Sequence, residues 1–339
     1  MVDFRYHLVS LISVFFALAI GIILGAGPLQ NSIGNVLQSQ VSDLRATNEK
    51  LKADNSEVRE ALARQEQAFE EAAPELLGAT LEGQAVGVVA LPGVPEAEIT
   101  AVKSRLEAAG ATITGHTLIN DSWTAADQNS FRTTFADQLK AYVPDLPDDA
   151  DANRVLALAL NTLVRDGLGA HGTLAGLMTG TATPMITTVD MAQPADAVVI
   201  LSPEFAEPAH DADADARAQT EYTTTTFVAL ATDFAERGAT VVAGPAKTDH
   251  DVVSALRRGG TAVSTADSLN LVLGQINVPI AVATELTDGH VHLGVDEGTQ
   301  RTLGARVEAK KVAEPAQAEA PAEEAPAEGD GAPPADEAP

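Results

Sequence analysis

The stretch AVGVVALPGVPEAEITAVKSRLEAAGATITGHTL, residues 85–118, decides the fold. Ala85–Leu91 is a short, continuous apolar run rich in β-branched residues, the pattern of a strand covered on both faces. Pro95 with Glu96 and Glu98 opens a helix, proline suiting the first turn and the carboxylates suiting its positive end. That helix runs to Ala109, Gly110 ends it, and Ala111–Leu118 makes a second strand. A strand, a helix and a strand at this spacing form a βαβ unit, which requires a parallel pair and a right-handed crossover.

Downstream the alternation continues. Ala125–Leu139 and Asp151–Asp166 read as helices, the second strongly apolar, and the polar region Asp145–Asn153 reads as an exposed linker. Ala195–Leu201 is a central strand, Thr220–Arg237 a long helix and Thr240–Ala243 another strand. His250–Arg258 is helical, Thr261–Ser264 a short strand and Ser268–Gln275 a last helix. Strands alternating with helices predict an open, doubly wound, mainly parallel α/β domain over residues 84–311. Residues 312–339 carry eight acids and no base, and beyond Val312 no large apolar side chain, the composition of a disordered tail rich in Ala, Glu and Pro.

Upstream of the domain, Leu8–Gly27 (LVSLISVFFALAIGIILGAG) contains no charged residue. At ~1.5 Å per residue it spans roughly 30 Å, the hydrocarbon thickness of a bilayer. The stretch is longer than the apolar core of a cleaved signal, and Gly25-Ala26-Gly27-Pro28 is a poor cleavage site. Residues 1–29 are therefore expected to be a single-pass anchor. Arg5 precedes the span and the next basic residue is Arg45, so the N-terminus should be cytoplasmic and the remainder extracytoplasmic. Ala17, Gly21 and Gly25 lie four apart on one helix face, where small residues let two backbones approach.

After Pro28 a seven-residue beat sets in. Leu37, Leu44, Leu51 and Val58 occupy one seam position, and Val41, Asn48, Asn55, Leu62 and Phe69 the other. Such a narrow apolar stripe predicts a coiled-coil stalk over residues 30–73, ended by Pro74. Asparagine at the seam selects a parallel, in-register homodimer, and Asp54 can pair with Arg59 of a second chain. A lone amphipathic helix packed on the domain is the other reading.

The bulk numbers narrow the function. Among 339 residues, 48 acids stand against 21 bases, a net charge of −27 that disfavours nucleic acid as a partner. There is no cysteine, which excludes thiolate metal sites, iron–sulfur clusters, cysteine nucleophiles and disulfides. No G-x-S-x-G, Walker A or H-E-x-x-H motif occurs, and an enzyme is not expected. Gly167-Leu-Gly-Ala-His-Gly172 spells G-x-G-x-x-G but follows a helix, not the strand that a dinucleotide site needs. Asp211, Asp213 and Asp215 beside His210 lack the glycine and distal glutamate of an EF-hand loop and read as a solvated acidic loop.

His290 and His292 are the sharpest metal signal. Two residues apart on an extended segment, they point to one face, and imidazole suits copper or zinc. Met178, Met185 and Met191 could add thioethers, which suit cuprous copper, if the fold brings them near. Two exposed loop histidines are the competing interpretation.

The N-terminal run Phe4-Arg-Tyr-His-Leu-Val-Ser-Leu-Ile-Ser-Val-Phe-Phe-Ala-Leu-Ala-Ile-Gly-Ile-Ile-Leu-Gly25, the heptads after it, the βαβ start after Gln84 and the segment Asp288-Gly-His-Val resemble the actinobacterial MctB family, which includes the SteB-type proteins of corynebacteria. His290 fits the late motif of that family. The resemblance implies copper homeostasis, through transport or efflux across the envelope, with placement in the outer envelope. It also implies a non-enzymatic scaffold in cell division and peptidoglycan remodelling, coupling a cytoplasmic SteA-type partner to an extracytoplasmic hydrolase. One apolar helix per chain, with Ser10 and Ser13 its polar side chains, lines no water-filled pore unless several assemble.

Overall fold

The computed structural model describes residues 4–180, 182–189, 193–209 and 211–309, without the side chains of 26–35 and 189. Two compact units divide after Glu71. The described residues of the first are all helical. Helix α1, Phe4–Leu77, runs through both Pro28 and Pro74, and its last turn belongs to the second unit. The expected stop at Pro74 is thus displaced by one turn. Proline removes a hydrogen bond to the residue four positions earlier but leaves the following amides free, and Gly78 N still bonds Pro74 O at 2.9 Å.

The second unit is an α/β domain. Strands β1 (Ala85–Ala90), β2 (Thr112–Ile119), β3 (Ile186–Val189), β4 (Ala197–Leu201), β5 (Thr240–Ala243), β6 (Ser264–Ala266) and β7 (His292–Leu293) form one sheet in the order β3-β2-β1-β4-β5-β6-β7. Every pairing is parallel except β2 with β3. The mainly parallel, doubly wound sheet is as expected, with an antiparallel edge strand added. Helices α3 (Asn129–Leu139), α4 (Ala152–Asp166), α5 (Gly172–Gly180), α6 (Ala214–Ala235) and α7 (Val252–Gly259) share one hydrophobic core on one face. Helices α2 (Glu96–Ala108) and α8 (Val272–Glu285) pack together on the other.

Several elements depart from expectation. The α5–β3 pair was not anticipated: glycine at 172, 176 and 180 weakens the helical signal, and burial of Leu174, Met178, Met185 and Ile186 supplies what propensity does not. Helix α6 begins six residues before Thr220, because the Asp213 carboxylate caps it by accepting from Ala216 N at 2.8 Å. The acidic run thus includes a helix cap, and His210 lies outside the described residues. Strand β6 sits three residues later than expected. Helix α8 extends ten residues beyond Gln275 with Pro279 inside it, the lost hydrogen bond being offset by burial of Ile276, Val278, Ile280 and Val282.

Chain entry and exit meet at the amino ends of the strands. Leu81 N bonds Ala109 O just before β1, Arg306 donates to Gly78 O at 2.6 Å, and Ala309 N donates to Thr80 O at 3.0 Å.

Candidate functional site

Residues Phe4–Gly25 are long and apolar enough to cross a membrane, with a mean hydropathy of 2.7 and no buried share. Phe15, Phe16, Ile22 and Ile23 are all exposed, as an anchor surrounded by lipid requires. A Cβ built on Gly21 or Gly25 meets nothing within 4 Å, so the face bearing Ala17, Gly21 and Gly25 is open. Ser13 donates to Val9 O at 2.9 Å, satisfying its hydroxyl within the helix. Along the heptads Leu37, Val41, Leu44, Leu51, Val58 and Leu62 are exposed, as are Asn48 and Asn55, and Phe69 is half-buried.

His290 and His292 stand at the β7 edge of the sheet. His290 Nδ1 lies 2.9 Å from Glu285 Oε1, and the same oxygen accepts from Ser264 N. His292 Nδ1 lies 3.0 Å from Thr265 Oγ1 on β6. That hydroxyl also accepts from Arg257 Nε at 2.9 Å. Burial, then the charge of Arg257 and of His290, lowers the His292 pKa below the ordinary imidazole value. Among the described residues no group of three or more His, Cys, Asp or Glu could hold a metal ion. Met178 and Met185 are fully buried and adjoin β3, at the opposite edge of the sheet from β7, so no thioether pairs with the histidines there. Met191 lies outside the described residues.

Behind this edge sits a buried ion pair. Arg257 Nη1 and Asp267 Oδ2 are 2.9 Å apart, with side chains 2% and 0% exposed. Arg257 also donates to Leu293 O, Glu297 O and Thr299 Oγ1. Asp267 accepts from Val295 N, Ser268 Oγ and Thr299 Oγ1. The pair binds β6, β7 and the 295–299 loop to one another.

Sequence reasoning missed a crevice of about 360 Å³ at the carboxyl ends of the strands, lined by Glu98, Glu204, Lys247, Ser268, Leu269 and Asp296 among others. The loops after β1, β4, β5, β6 and β7 each contribute to it or, like Glu98, lie just beyond. Strand order reverses between β1 and β4, the position where open α/β sheets bind ligands. No sequence motif marks it, because its residues come from five separate loops.

Among the described residues one apolar helix is long enough to span a membrane, and in the same chain it precedes a doubly wound, mainly parallel α/β domain; these two features define the class of protein. The chain belongs to the MctB family, described as "Copper transport outer membrane protein, MctB", whose model matches residues 1–303. It is similar to the copper transporter MctB of Mycobacterium tuberculosis and that of Mycobacterium bovis. Each is 24% identical over 320 residues, covering 88% of this chain and 98% of the relative.

Proposed function

We propose that this chain is a membrane-anchored, non-enzymatic envelope protein acting in copper homeostasis, by transport or efflux of the ion. The observation that carries the reading is the family match across residues 1–303, taken with the relatives' name and the exposed apolar helix at the chain's start. In this reading residues 1–29 anchor a chain whose N-terminus is cytoplasmic, 30–73 form a stalk, 84–311 are the extracytoplasmic domain and 312–339 an acidic tail. Copper is cargo rather than a resident cofactor. It meets the β7 edge through His290 Nε2 and through His292 Nε2, the latter with Thr265 Oγ1 accepting the Nδ1 proton of the ring. The test is cuprous ion titration of the full chain in detergent against a competing chelator. His290→Ala with His292→Ala should lower the bound ion by one per chain; unchanged stoichiometry and affinity would remove the edge from the copper route.

The exposed seam favours a second reading, a parallel homodimer that serves as a scaffold between a cytoplasmic SteA-type partner and an extracytoplasmic hydrolase. Unpartnered Leu37, Leu44, Leu51 and Val58 on one stripe are the surface that a coiled coil covers. The absence of cysteine makes this simple to check. Leu44→Cys and Leu51→Cys should each cross-link two chains under mild oxidation, whereas Ala46→Cys and Ala53→Cys, outside the seam, should not. Equal cross-linking at all four positions would refute the seam.

A further inference from the structure

The crevice at the carboxyl ends of the strands has a charge opposite to that usual for its position. In open α/β sheets this site commonly receives phosphate, held by helix N-termini and loop amides. Here the amides that follow β4 and β5 are engaged within the chain. The carboxylate of Asp251, fully buried, accepts from Phe205 N at 2.9 Å, Lys247 N at 2.9 Å and Thr248 N at 2.8 Å. Asp251 thus occupies from within the loop amides that an anion would need. Helix α2, which opens beside the crevice, begins with Pro95, which has no N–H, and carries Glu96 and Glu98 in its first turn. Those carboxylates cancel the positive end of the helix and repel a phosphate.

What remains in the crevice suits a cation. Glu98, Glu204 and Asp296 line it against one lysine, and Lys247 Nζ is already committed to Glu204 Oε2 at 2.8 Å. Asp296 Oδ2 accepts from Ala246 N at 3.1 Å. Glu98 is half-buried, and among the described residues its carboxylate receives no hydrogen bond. Burial raises its pKa, with Lys247 pulling the other way. Around the acids stand Pro95, Pro203, Pro245 and Leu269, a rigid apolar rim. A bare metal ion does not fit, since no three carboxylates or imidazoles among the described residues converge at ligand distance.

We propose that this crevice binds a compact organic amine, its ammonium between Glu98 and Asp296 and its carbon body against Pro203, Pro245 and Leu269. A volume of about 360 Å³ matches a ligand the size of a sugar or an amino acid. The buried Arg257–Asp267 pair positions the site from below, because Asp267 holds Ser268 Oγ and the amide of Val295 next to Asp296. Lys247 serves as the internal counter-cation in the empty crevice. This site is independent of the copper reading and uses none of its residues.

The test is calorimetric titration of the full chain in detergent with glucamine, with sorbitol as its twin bearing hydroxyl in place of ammonium, and with inorganic phosphate. Glucamine should saturate one site per chain, sorbitol should bind at least about tenfold more weakly, and phosphate should not compete. Glu98→Gln should weaken glucamine roughly tenfold, the worth of one charged hydrogen bond. Lys247→Ala should strengthen it, because the variant frees Glu204 and removes the competing cation. Binding should be full above the raised pKa of Glu98 and fade as pH falls through it. No glucamine binding, equal binding of glucamine and sorbitol, or both variants shifting affinity in the same direction would overturn the proposal.

Discussion

Asp267→Ala is expected to destabilise the α/β domain by about 3–5 kcal/mol, the cost of leaving a buried charge without its partner. Arg257 would keep its bonds to Thr265, Leu293 O, Glu297 O and Thr299 but lose the one carboxylate beside it, in a place where its side chain is 2% exposed. The amide of Val295 and the hydroxyl of Ser268 would lose their acceptor as well. A Cβ at Gly294 would collide with the Asp267 carboxylate, so the backbone is drawn tightly around this group and little water can enter. Urea unfolding of the full chain in detergent reads the loss as a lower midpoint at unchanged slope. Asp267→Ala combined with Arg257→Met should recover part of it, since an apolar pair of similar volume leaves no orphan charge. A single variant as stable as the parent would show that water reaches the pair.

The second large effect concerns the apolar helix. Ile12→Arg with Leu18→Arg places two charges inside Phe4–Gly25, each costing about 2.5–3.5 kcal/mol at the centre of a span. The chain should then move from the membrane pellet to the soluble fraction. The parent should stay in the pellet through an alkaline carbonate wash, with Phe4 still present by mass spectrometry. Recovery of the parent with a new N-terminus beyond Gly27 would show a cleaved signal in place of an anchor.

How much of this was readable beforehand follows from where each element's stabilisation resides. Strands β1, β4 and β5 are continuous apolar runs buried on both faces, and such runs announce themselves. Strand β7 is two residues long and is a strand only because Thr265 and Ala266 pair with it. Helix α8 runs past Gln275 and through Pro279 because of burial on the domain, a tertiary effect that the local sequence does not carry. The two histidines were visible by spacing. Their partners were not, since Thr265 and Glu285 reach them only through the sheet edge and the turn after α8. The place of the methionines is hidden for the same reason: residues 178 and 185 both precede β3, and only the strand order shows that β3 and β7 are opposite edges. Glu98, Lys247 and Asp296 carry no local pattern at all.

The meeting of chain entry and exit at the amino ends of the strands has a mechanical consequence. A pull applied between residue 78 and residue 309 is carried by Arg306 on Gly78 O and by Ala309 N on Thr80 O. Load therefore crosses a clamp a few residues wide and bypasses the seven strands. The carboxyl-end loops lie off that path. Tension along the chain would first release the clamp, with the crevice still folded behind it.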